Sequence, residues 1–113
     1  MVKILIIDDE SFMRDMIKKA LKIARYSDII EAANGKEGIK KFKEYKPDVV
    51  FLDLKLPDIY GGEVLKVFHK NKKINPKCKV IITNFLRIPR TKVRGFIRRL
   101  KSAVLFPYNK HYK

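Results

Sequence analysis

The chain has 113 residues, enough for one compact domain and too few for two. Its hydrophobic fraction of 46% with 11% aromatics suffices for a core, and a single cysteine, Cys78, excludes a disulfide framework or a cysteine metal site. All 12 acidic residues lie at or before Glu63, where an equal number of lysines and arginines balance them, so the net charge of +15 falls wholly on residues 64–113.

Val2 to Ile7 is an apolar run broken only by Lys3, the pattern of a strand buried on both faces of a parallel sheet. It is too short to cross a bilayer, and Asp8 and Asp9 cut it too early for a secretory signal, so a soluble cytoplasmic protein is expected. Met13, Met16, Ile17, Ala20, Leu21 and Ala24 then recur at helical spacing, with Arg14, Asp15, Lys18, Lys19 and Lys22 on the other face. Asp28 to Ala32 reads as a short second strand. Asn34-Gly35 is a turn signal, and Gly38, Ile39 and Phe42 predict a second helix ending before Pro47. Val49 to Leu52 is a third buried strand, closed by Asp53. Pro57 and Gly61-Gly62 punctuate a loop, after which Val64, Leu65 and Phe68 mark a third helix. Val80 to Ile82 is a fourth strand ending in Thr83, with Cys78 just before it.

The alternation of strands and helices implies parallel strands, right-handed crossovers and an open doubly wound α/β sheet. Beyond Thr83 the pattern is atypical. Val93, Phe96, Ile97 and Leu100 form the apolar face of an expected fourth helix, with Arg90, Arg94, Arg98 and Lys101 as a basic stripe beside it. Ala103 to Phe106 reads as a short fifth strand, and only six residues follow Pro107, too few for a normal closing helix.

In such a sheet, ligands bind beyond the carboxyl ends of the strands. Asp8 and Asp9 end the first strand, Asp53 the third and Thr83 the fourth; a flavodoxin-like order of 2-1-3-4-5 gathers the three carboxylates. Any one of them alone would read as a helix cap or turn former. Together they repel one another unless protonated or bridged by a cation, and hard oxygen ligands suit Mg²⁺.

Asp8-Asp9 after the first strand, Asp53 followed by Leu56-Pro57 and Gly61-Gly62, and Thr83 after a run of Val80-Ile81-Ile82 resemble the receiver domain of two-component response regulators. The resemblance covers roughly residues 2–84. It implies that Asp53 is the phospho-acceptor and that Asp9, Asp53 and the main-chain carbonyl of Lys55 hold Mg²⁺, with Asp8 acting through water. It implies further that Thr83 binds a phosphoryl oxygen and signals its presence. The phosphoryl donor would be a phosphohistidine on a sensor kinase or phosphotransfer protein, and the output a downstream protein target. Chemotaxis regulators are the single-domain relatives; a phosphorelay intermediate fits equally.

The chain departs from this family at residues 85–113. The usual Lys before a Pro at the end of strand five is replaced by Phe106, and Ala103 stands at the aromatic switch position. Two explanations stand: a degenerate pseudo-receiver acting as a phosphorylation-independent interaction module, or a segment altered wholesale, as by a reading-frame change. The Lys55 side chain, two residues after Asp53, is a candidate substitute for the missing amine. His69 and His111 read as surface residues, and Asp58 and Tyr60 as turn residues. The basic stripe is the one feature pointing to nucleic acid; with no reader domain and no interleaved aromatics, specific binding is not expected.

Overall fold

The computed structural model describes residues 1–71 and 76–83. Among these residues four strands and three helices alternate: β1 (Lys3–Ile7), α1 (Ser11–Ile23), β2 (Asp28–Ala32), α2 (Gly35–Tyr45), β3 (Val49–Leu52), α3 (Gly61–Lys70) and β4 (Lys79–Ile82). The strands form one parallel sheet in the order β2-β1-β3-β4, as the 2-1-3-4-5 expectation requires of its first four members. The expected fifth strand, fourth helix and basic stripe lie outside the described residues, as do Ala103, Phe106 and His111.

Side chains of a strand alternate between faces, so each buried strand feeds two cores. Ile4 and Ile6 of β1 join Val49 and Phe51 of β3 and Ile81 of β4 under Ile17, Ala20 and Leu21 of α1. Leu5 and Ile7 join Val50, Leu52 and Val80 under Phe42 of α2 and Val64 and Phe68 of α3. The Phe42 and Phe68 rings stack at 4.1 Å between centroids, which locks α2 to α3. Cys78 is buried in this second core just ahead of β4, and burial pushes its thiol up to about 12, so it is inert as a nucleophile.

Two helix starts fall earlier than their apolar periodicity indicates. Asn34 is not part of a free-standing turn: its side chain accepts the Glu37 N–H at 2.8 Å and caps α2, which begins at Gly35. Gly61 and Gly62 are the first residues of α3 rather than loop. In both places glycine masks the helical pattern because it carries no side chain to count. Helix α2 stops where Lys46 turns left-handed (φ 50°), one residue before Pro47.

Candidate functional site

Strand register builds the site. Ile7 of β1 pairs with Ala32 of β2 and with Leu52 of β3, and Leu52 pairs with Ile82 of β4. The next residue of each strand therefore stands at the same sheet edge: Asp8, Asp53 and Thr83. The backbone ladder continues one step to hold the acids, with Asp8 N–H donating to Ala32 O and Asp53 N–H donating to Ile7 O, both at 3.0 Å. Asp8, Asp9 and Asp53 each offer a carboxylate oxygen, and these oxygens lie within 4.8 Å of one another.

The three acids differ in exposure. Asp8 is 2% exposed, Asp53 is half-buried and Asp9 is exposed. Burial lifts the Asp8 carboxyl to about 6, with added repulsion from Asp53, Asp9 and Glu10, while the Glu10 N–H donating at 2.9 Å works the other way. A buried acid crowded by like charges is one that a bound cation would relieve. The donor set is all hard oxygen with an open side toward solvent at Asp9, which fits Mg²⁺.

On the β3 side, Asp53 folds its own loop back. Its carboxylate accepts the Lys55 N–H at 2.9 Å. Gly61 N–H donates to Leu54 O at 2.9 Å, and a Cβ on Gly61 would lie 2.6 Å from the Asp53 carbonyl oxygen, so only glycine permits this approach. The Lys55 side chain is exposed, and Thr83 is 2% exposed at the end of β4.

Two participants escaped the sequence reading. Arg14 lies off the buried face of α1, as its spacing predicts, and its guanidinium reaches back to donate to the Asp8 carbonyl and, at 3.1 Å, to Glu31 of β2. Glu31 also receives Lys18 at 3.0 Å, so α1 is tied to the sheet edge beneath the acids. Asp58, read as a turn residue, accepts main-chain N–H groups of Gly35 and Lys36 at the start of α2. No local periodicity marks either residue's contacts. His69 is exposed on α3, as expected.

Among the described residues no helix is long and apolar enough to cross a membrane. The sequence model of the response regulator receiver domain matches residues 4–96. The chain is 40% identical over 80 residues to the chemotaxis protein CheY of Thermotoga maritima, covering 71% of this chain and 64% of that relative. It is 36% identical over 109 residues to CheY of Listeria monocytogenes, covering 96% and 88%. The fold is shared with the crystal structure of the chemotaxis response regulator CheY4 of Vibrio cholerae, at a TM-score of 0.75 and 19% identity over 91% of this chain and 98% of that one. With a carboxylate cluster at the strand ends, a 2-1-3-4 parallel sheet and a family match over residues 4–96, this chain belongs to the response regulator receiver domains of two-component signalling.

Proposed function

We propose that this chain is a response regulator receiver that accepts a phosphoryl group on Asp53 in a Mg²⁺-dependent reaction and signals through a change of conformation. The observation that carries this reading is the convergence of Asp8, Asp9 and Asp53, with carboxylate oxygens within 4.8 Å, at the carboxyl edge of a receiver sheet. Asp53 is the acceptor by its place in the receiver pattern, and its half-burial leaves it within reach of an incoming donor, whereas Asp8 is closed off from solvent.

Asp9, Asp53 and the Lys55 carbonyl would hold Mg²⁺, with Asp8 acting through water. When bound, the cation supplies neutralisation of the charge that develops on the transferring phosphoryl group. An Asp53 carboxylate oxygen attacks phosphorus in line with the phosphohistidine P–N bond. That bond breaks, its electron pair stays on the imidazole nitrogen, which takes up a proton, and Asp53 is left as an acyl phosphate. Thr83 is the hydroxyl we assign to a phosphoryl oxygen; buried at the end of β4, it reports the new charge to its surroundings. The exposed Lys55 amine is an accessory charge for the same group.

The partners on this reading are a sensor histidine kinase or phosphotransfer protein and a downstream protein target, in the cytoplasm. The chain works on itself rather than on a separate substrate. Incubation with acetyl phosphate and Mg²⁺ is expected to label the wild-type chain and leave Asp53→Asn unlabelled. Absence of Mg²⁺-dependent labelling in the wild type would overturn the proposal in favour of a phosphorylation-independent interaction module.

A further inference from the structure

The loop from Asp53 to Gly61 is fixed at both ends by its own backbone, through the Asp53–Lys55 and Leu54–Gly61 hydrogen bonds. Its middle is held from outside. One carboxylate oxygen of Asp58 accepts Gly35 N–H at 2.7 Å and Ile59 N–H at 2.9 Å; the other accepts Lys36 N–H at 2.9 Å. Gly35 and Lys36 are the first two residues of α2, and Glu37, the third, is capped by Asn34. A helix start leaves four amides without intrahelical partners. Here two of them are satisfied by a residue 22 and 23 positions away in the chain.

The contact is close as well as charged. A Cβ on Gly35 would meet Ile59 Cβ at 2.9 Å and Asp58 Oδ1 at 3.2 Å, so the loop rests directly on the helix end. The positive end of α2 favours an anion there. The main-chain amides, Lys36 foremost, then Gly35 and Ile59, hold the Asp58 carboxyl below its ordinary range.

We propose that Asp58 is a positioning residue for the cation site: by clamping the loop to α2 it fixes the Lys55 main-chain carbonyl, three residues upstream, against the strand-end carboxylates. This rests on the Mg²⁺ reading above. A small, hard cation tolerates little error in ligand placement, and groups that orient ligands commonly matter about 10–100-fold in affinity. Leu56 and Ile59 pack on the core, so the loop stays attached without Asp58 and loses its direction rather than its place.

Calorimetric titration of the full chain with Mg²⁺ tests this. Asp58→Ala is expected to weaken Mg²⁺ binding about tenfold, and Asp58→Asn, which keeps one carbonyl acceptor, to fall between it and the wild type. Asn34→Ala removes the neighbouring cap of the same helix without touching the loop; it should lower the melting temperature comparably and leave Kd within about twofold. Wild-type affinity in folded Asp58→Ala overturns the inference while leaving the metal reading intact. Equal weakening in Asn34→Ala overturns it too, because helix-end stability would then be the cause. No Mg²⁺ binding by the wild type overturns both readings. Should Asp58→Ala not fold, Asp58→Ser is read in its place.

Discussion

At the β1 end of the acidic edge the chain buries its carboxylate; at the β3 end it leaves one half-exposed and follows it with a clamped loop. Asp8 lies 2% exposed above Arg14 and Glu31, with its carboxyl raised to about 6 chiefly by burial. Asp53 faces outward enough to meet a donor, and its surroundings are main-chain amides and a glycine that lets the loop turn tightly. The difference teaches a division of labour. On the proposed reading, the buried acid carries an electrostatic strain that a cation would relieve, and half-buried Asp53 carries the reactivity.

The largest expected effect breaks the open side: Asp53→Asn removes the nucleophile, and acetyl-phosphate labelling should fall to background while the fold is retained. Next, Asp8→Asn should stabilise the metal-free protein by on the order of 2 kcal/mol at pH 7 in urea unfolding, since the amide oxygen can still accept from Glu10 N–H. The sign follows from the raised pKa. Between about pH 4 and pH 6 folded Asp8 holds a proton that the unfolded chain has released, so wild-type stability falls as pH rises through that window. The advantage of Asp8→Asn should therefore vanish below about pH 4 and be complete above about pH 6. Saturating Mg²⁺ should shrink or reverse it, because the cation would bind the wild-type site more tightly than the less charged variant.

Arg14→Ala should cost about 1–2 kcal/mol in the same unfolding experiment, because a partly buried charge-assisted pair to Glu31 and a bond to the Asp8 carbonyl are lost together. Lys18 remains on Glu31 and limits the damage. The smallest effect belongs to Lys55→Ala. Its side chain is exposed and its main chain is unchanged, so the labelling rate should drop by no more than about threefold, a barrier change of about 0.7 kcal/mol. An unchanged rate removes the amine from the mechanism; a drop of about a hundredfold would make it a principal phosphoryl contact.

Much of this site was legible before any coordinates. The strand from Val49 to Leu52 and the strand from Asp28 to Ala32 match the structure to the residue; for the first, an apolar run closed by Asp48 and Asp53 leaves little freedom in the boundaries. Asp8 and Asp9 announced themselves by following the run from Val2 to Ile7, and Asp53 by following the run from Val49 to Leu52. The starts of α2 and α3 were missed because glycines at 35, 61 and 62 add nothing to an apolar count. The contacts of Arg14 were not legible because a long side chain on a polar stripe can bend back to a sheet edge.

By itself, the amino-acid sequence determined which segments are strands and helices, that the sheet is parallel, and which acids stand at its carboxyl edge. Period-two and period-3.6 patterns act over a few residues, and the handedness of crossovers restricts how such segments assemble. Tertiary structure alone decided that Asp8 is the buried member of the cluster, that Arg14 braces its main-chain carbonyl while paired with Glu31, and that Asp58 accepts the first amides of a helix 22 and 23 residues before it. Each of these depends on groups distant in the chain being brought within hydrogen-bond reach, and hydrogen bonds of that span leave no periodic trace in the sequence.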